Sequence, residues 1–244
     1  MSAKSIIPVS IISLSIIVSV LILSNSFINR NKADNTIAVT GLSQIDFESD
    51  LIVWRSYFSV KNATLTGAYA KLKEQNEKIL DFLIKKGLDK ADITFSAVDI
   101  SKDYTYIYNQ NGSSQSVFDG YTLSQTVNIS STEVKKIETI SREITELINQ
   151  GIEINSYAPE YYYTKLADLK IAMLAAATED GQLRAKTIAE NGGGRLGGLK
   201  NSTMGVFQIV AVNSAEEYSW GGSFNTSSKQ KTASVTVRLL YNIK

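Results

Sequence analysis

The 244-residue chain contains neither cysteine nor histidine. Without a thiol there is no disulfide and no cysteine nucleophile, and without imidazole the side chain best suited to proton transfer near neutrality is missing. Ser-His-Asp and Cys-His mechanisms are excluded, and so are zinc sites of the usual kind. Catalysis by carboxylates alone or by an oxygen-ligated metal would remain, yet no D-x-D pair or EF-hand loop occurs. The expectation is a protein that is not an enzyme, with no catalytic, cofactor-binding or metal-ligating residues. An excess of charge is lacking too. Lys and Arg number 25 against 24 Asp and Glu. Taking away Lys4, Arg30 and Lys32 of the N-terminal segment leaves 22 basic residues against those 24. A chain so balanced carries no electrostatic footprint for nucleic acid.

What is present begins with an uncharged run of 18 residues, Ile6 to Leu23. As a helix it would reach ~27 Å, near the thickness of a bilayer core. It is longer than the core of most signal peptides, and no A-x-A site follows it. An uncleaved anchor through residues 6–23 is therefore expected ahead of a cleaved signal. Residues 1–28 read as the anchor or signal segment, 29–35 as a linker and 36–244 as a folded domain.

Within that domain, strands are expected at Ile37 to Leu42 and Leu51 to Val60. In the second, Ile52, Trp54, Phe58 and Val60 face one way and Arg55, Ser59 and Lys61 the other, which suits an antiparallel sheet with one bare face. Thr64 caps a helix reaching Lys86, stopped by Gly87. Ile93 to Tyr108 and Val117 to Ile129 read as two long strands joined across Asn111-Gly112. Ser131 or Thr132 opens a second helix striped with Val134, Ile137, Ile140, Ile144, Leu147 and Ile148, and Gly151 ends it. A strand from Ile152 to Tyr163 follows, then a helix from Leu166 to Ala189. The apolar face of that helix is read as Ala167, Ile171, Leu174, Thr178, Gly181, Ala185 and Ile188. Strands from Thr203 to Val212 and Thr232 to Tyr241 complete the chain. The fold class expected is α+β, antiparallel sheet with three helices on one face in the order ββα-ββα-βα-ββ, behind one N-terminal transmembrane helix.

Two aromatic groups are candidate oligomer or partner contacts. Tyr104, Tyr106, Tyr108 and Phe118 lie near the tip of the long hairpin, and Tyr218, Trp220 and Phe224 lie in the polar stretch 213–229. Tyr is common at interfaces, while cross-strand aromatic pairing explains the hairpin equally well. A monomeric module binding a small ligand or polysaccharide through these Tyr and Trp loops is the alternative function.

Between the last long helix and its following strand lie Gly192, Gly193, Gly194, Gly197 and Gly198. Three of them spell G-x-G-x-x-G, but a dinucleotide fingerprint follows a strand and opens a helix. Here it follows a helix, at the negative end of the helix dipole, which disfavours phosphate. These glycines read as a structural turn with no cofactor. Ala185-Lys186-x-Ile188-Ala189, then Gly194-x-Leu196-Gly197-x-Leu199 and a strand, resembles the C-terminal signature of the SIMPL-domain family of bacterial periplasmic proteins, over roughly residues 35 to 244. The three successive glycines at 192–194 depart from that pattern. The resemblance implies an α+β fold, an extracytoplasmic domain with the N-terminus in the cytoplasm, no established enzymatic activity, and large ring-like homo-oligomers.

Overall fold

The computed structural model of the chain describes residues 14–26, 35–108, 114–215 and 219–244. The elements are helix α1 (14–26), strands β1 (Thr36–Glu48) and β2 (Leu51–Asn62), helix α2 (Leu65–Lys85), and strands β3 (Ile93–Phe95), β4 (Asp99–Tyr108) and β5 (Ser114–Ser131). Helix α3 (Val134–Glu143) runs on as a 3-10 turn (Ile144–Gln150) into β6 (Ile154–Ser156) and β7 (Glu160–Tyr162). Helix α4 (Leu166–Asn191), β8 (Leu196–Met204), β9 (Gln208–Ala211), β10 (Ser223–Phe224) and β11 (Gln230–Ile243) complete the chain. The class is mixed α+β with largely antiparallel sheets. One sheet runs β3-β5-β2-β6, with β4 also on β5 and β7 also on β2; the other runs β1-β11-β9-β10, with β8 also on β11. The short β9–β10 pairing is parallel.

Two compact units are distinguishable. One comprises Leu42–Ala177 and Met204–Thr236. Its core follows from alternation along β2, where Ile52, Trp54, Phe58 and Val60 are buried, and along β5, where Leu123, Val127 and Ile129 are buried. Ala68, Leu72, Ile79 and Leu83 of α2 and Ile137 and Ile140 of α3 close over them. The Thr64 hydroxyl accepts the Gly67 amide at 3.2 Å and so caps α2. Gly87 (φ 86°) and Gly151 (φ 77°) take left-handed turns after the two helical segments.

The other unit comprises Met1–Gly41, Thr178–Thr203 and Val237–Lys244. Here α4 lies tight on strand backbone. A Cβ at Gly181 would come within 2.7 Å of Leu239 Cδ1 and 3.2 Å of the Gly41 nitrogen. β8 closes on the end of β11, with Arg195 and Lys244 exchanging backbone hydrogen bonds of 2.8 Å in both directions.

Several expectations are corrected. The helices do not share one sheet face: α2 and α3 cover the β2/β5 sheet, whereas Gly181 of α4 packs beside Gly41 of β1 and Leu239 of β11. The buried stripe of α4 is Met173, Ala177, Gly181, Ala185 and Ala189, a strict spacing of four, while Ile171 and Ile188 are exposed. Glycine holds position 181 because a Cβ there would enter Leu239 and the Gly41 backbone. The order is ββα-βββα-ββα-ββββ after α1, since three expected strands are each interrupted and the polar stretch 213–229 contributes the short β10. Between β3 and β4 the register moves from Phe95↔Val127 to Asp99↔Ser124, four residues against three, so the chain must bow out. The same excess separates Ser56↔Ser156 from Val53↔Glu160, and there Pro159 removes an amide donor as well. The glycine segment joins the sheet as β8, ahead of a separate β9.

Of the expected span Ile6 to Leu23, residues 6–13 lie outside the described residues. Among the described residues no helix is long and apolar enough to cross a membrane. In α1, Leu14, Ile16, Ile17, Val18, Val20, Leu21, Ile22 and Leu23 are all exposed.

Candidate functional site

The hairpin of β4 and β5 leaves the body of its sheet as a two-stranded ribbon. All of β4 except Tyr104's neighbour Asp103 is exposed, and so is β5 from Ser114 to Asp119. The ribbon turns at a bulge between Asp103 and Tyr104. Gly120 makes this possible: its φ is 115°, and a Cβ there would meet the Asn62 carbonyl oxygen at 2.6 Å. Lys61 fastens the base, 2.6 Å from Asp119 and 3.4 Å from Asp103, while the Thr122 hydroxyl donates to Asp103 at 2.5 Å. Lys61 and then the Thr105 hydroxyl hold the Asp119 carboxyl below its usual range.

Beyond the base, aromatic rings step outward. Tyr121 packs against the core, Phe118 meets Tyr121 edge-on at 5.1 Å, and Tyr104 meets Phe118 at 5.9 Å. Tyr104 and Phe118 thus make the cross-strand pair, at the register Tyr104↔Phe118. Tyr106 and Tyr108 face Ser116 and Ser114, which are too short to cover a ring, and are 61% and 77% exposed.

The second aromatic group is divided. Tyr218 lies outside the described residues. Trp220 is fully exposed on a turn held from beneath by Gln208, whose buried side-chain amide donates to the Ser219 carbonyl at 2.7 Å and accepts the Ser219 amide at 3.2 Å. Gly222 closes that turn at φ 92°, where a Cβ would strike the Phe207 carbonyl at 2.8 Å. Leu42, Val206, Val235 and Trp220 border an open concavity of about 420 Å³. Phe224, in β10, is half exposed and instead meets Tyr162 at 6.4 Å and the Lys231 ammonium at 5.5 Å.

Gly192 and Gly193 form the turn after α4, with Gly193 at φ 83°, and Gly194 follows them. Gly197 and Gly198 lie in β8 rather than in the turn. Gly197 has a strand's reason to be glycine, since a Cβ would come within 2.8 Å of the Asn242 carbonyl oxygen. Among the described residues no three or more Asp or Glu side chains gather as a metal site would require.

Sequence reasoning missed Lys231. Its side chain is buried, its ammonium donates to the Tyr161 carbonyl, and burial pulls its pKa down to about 8. The signal was available, because Lys231 continues the inward-facing row Ala233, Val235 and Val237 by one step. Nearby, Glu138 accepts from the Tyr161 hydroxyl at 3.0 Å and from Lys229 at 3.3 Å. Burial, then Glu138, raise the Tyr161 phenol to about 12.

The model of the SIMPL family, described as a protein of unknown function (DUF541), matches residues 37–240. The chain is also similar to a 26 kDa periplasmic immunogenic protein of Brucella abortus (strain S19), 26% identical over 120 residues. That match covers 49% of this chain and 48% of the other, so the chain spans about half the length of this relative.

Proposed function

The chain belongs to the SIMPL family, whose function is unknown, and from that premise we propose a non-enzymatic, extracytoplasmic protein that self-associates into a ring-like assembly. The apolar N-terminal segment holds it to the inner membrane, the domain stands in the periplasm, and envelope integrity or stress is the cellular setting. The name of the Brucella relative supports the compartment. The exposed apolar side chains of α1 support the anchor, since a helix apolar on all sides needs lipid or protein around it.

The observation that carries self-association is the β4/β5 ribbon. A two-stranded ribbon on its own is marginally stable in water, and this one exposes Tyr106, Ile107, Tyr108 and Val117. No residue from Tyr104 to Phe118 is charged, so burial against another copy would desolvate no charge there. β8 adds an edge, because its one strand partner among the described residues is β11. A closed ring would cover such edges without leaving a free end.

The test is the mass of the full chain extracted in mild detergent, measured by light scattering. A discrete multiple of 26.8 kDa is expected, falling to smaller species in the Tyr106→Ser/Tyr108→Ser double variant. A monomer in the unmodified protein would refute the proposal.

A further inference from the structure

The β2/β5 sheet turns one face to its core; on the other, Arg55 and Lys61 are exposed, Tyr57, Ser59, Thr122, Thr126 and Asn128 are half-buried, and Ser124 is buried. On this second face the register sets four pairs in a row: Arg55↔Asn128, Tyr57↔Thr126, Ser59↔Ser124 and Lys61↔Thr122. These alternate with the buried Trp54, Phe58 and Val60, so the pleat alone turns them away from the core. From Arg55 to Lys61 the row is about 20 Å long at a strand's rise.

Both ends are charged and already neutralised. Arg55 meets Glu160 at 2.5 Å, and the Tyr162 hydroxyl, then Arg55, hold that carboxyl below its usual range. Lys61 is taken by Asp119 and Asp103. Between the ends β2 and β5 carry only neutral groups, with the carboxylate of Asp99 in β4 on the same face opposite Ser124, and the side chains of Tyr57, Ser59, Ser124, Thr126 and Asn128 make no hydrogen bond to any described residue. At the Arg55 end the row opens into a concavity of about 670 Å³, lined also by Ser96 and Tyr157. Tyr157 stands half exposed there, its backbone tied to the Arg55 carbonyl at 3.1 Å.

We propose that this face binds a neutral glycan chain. A sugar hydroxyl both donates and accepts, as do the hydroxyls of Tyr57, Ser59 and Thr126, and the Asn128 amide offers both functions side by side. Tyr157 supplies a flat apolar surface with a polar tip, suited to the C–H face of a sugar ring. Charge decides the class. An anionic ligand would have to break an existing ion pair to gain a cation, whereas a neutral polyol leaves both pairs intact. A peptide strand seeks main-chain partners at a sheet edge, and this face presents side chains alone. The row's length fits several linked sugar units better than one.

The experiment is calorimetric titration of the full chain, in a detergent without a sugar headgroup. Maltotetraose and chitotetraose are the neutral probes and tetragalacturonate the acidic one. At least one neutral tetramer binds, and Asn128→Ala and Tyr157→Ala each weaken it by about three- to tenfold, as loss of one or two good contacts does. Thr126→Val, which keeps the volume and removes a hydroxyl, lowers affinity in the same direction with unchanged melting. No binding of either neutral tetramer at millimolar concentration, tighter binding of the acidic one, or full affinity in the Asn128→Ala/Tyr157→Ala double variant would overturn the proposal. Assembly mass in the same samples keeps the two readings apart, because a monomer that binds sugar sinks self-association and leaves this site standing.

Discussion

At the residue scale, Tyr161 in β7 donates its amide to the Thr226 carbonyl at 2.7 Å, while its own carbonyl accepts from the ammonium of Lys231. The lysine fills the donor role that the amide of a neighbouring strand would otherwise fill, so a buried carbonyl is not left unpaired. It does so with a charge taken out of water, 1% exposed, over the ring of Phe224 and with no carboxylate partner among the described residues. Burial alone lowers its pKa from 10.5 to about 8. Between those two values the unfolded chain binds more protons than the folded one, so this group's contribution to stability improves as pH rises from about 8 towards 10.5. Its full cost is felt below about 8. Lys231→Met has no such group. The urea midpoint of the native protein should therefore move upward relative to that of Lys231→Met between pH 7 and pH 10. A gap that stays constant with pH would contradict the assignment.

At the scale of elements, α4 depends on having almost nothing on its inner stripe. Gly181→Val would drive branched carbon into Leu239 and the Gly41 backbone, and overpacking of this kind costs about 1–3 kcal/mol. Gly198→Val is the control, because a Cβ there meets nothing within 4 Å. Urea unfolding should separate the two variants clearly; equal losses would mean that α4 is not seated as described. The same stripe explains what the sequence could and could not disclose. β2 was legible because Ile52, Trp54, Phe58 and Val60 contrast sharply with Arg55 and Lys61, and α2 was legible because Thr64 and Gly87 mark its ends with recognisable chemistry. In α4 the buried Ala177, Gly181, Ala185 and Ala189 differ little in hydropathy from their neighbours, so the exposed Ile171 and Ile188 were read into the face beside Gly181 and Ala185, which do belong to it. The interruptions at 96–98 and 157–159 were hidden for another reason. One surplus residue against a partner strand is a property of register, and register belongs to two segments at once. Of the candidate contacts, Tyr106, Tyr108 and Trp220 were legible as aromatics outside any apolar row. The outer face of β2 and β5 was legible as alternation, but its lack of internal partners needed coordinates.

At the scale of the whole molecule, charge separates the proposed anchor from an electrostatic attachment. A formal net charge of +1 leaves little attraction to an anionic lipid surface, where juxtamembrane binding draws about 1 kcal/mol from each cation near the surface and fades within a Debye length. What the chain offers instead is apolar area. Eight exposed aliphatic side chains in α1 continue an uncharged sequence that begins at Ile6. Burying one aliphatic side chain is worth roughly 1.5 to 3 kcal/mol, and salt does not screen that term. If several copies share an assembly, their anchors enter the same bilayer together, and release requires all of them to leave at once. Membranes carrying the full chain should therefore keep it through washes with 1 M NaCl, where the Debye length is about 3 Å, and yield it to detergent. A protein with residues 1–28 removed should appear in the soluble fraction at every salt concentration. Release of the full chain by salt alone would show that contact with the membrane is electrostatic, and the proposed anchor would fall.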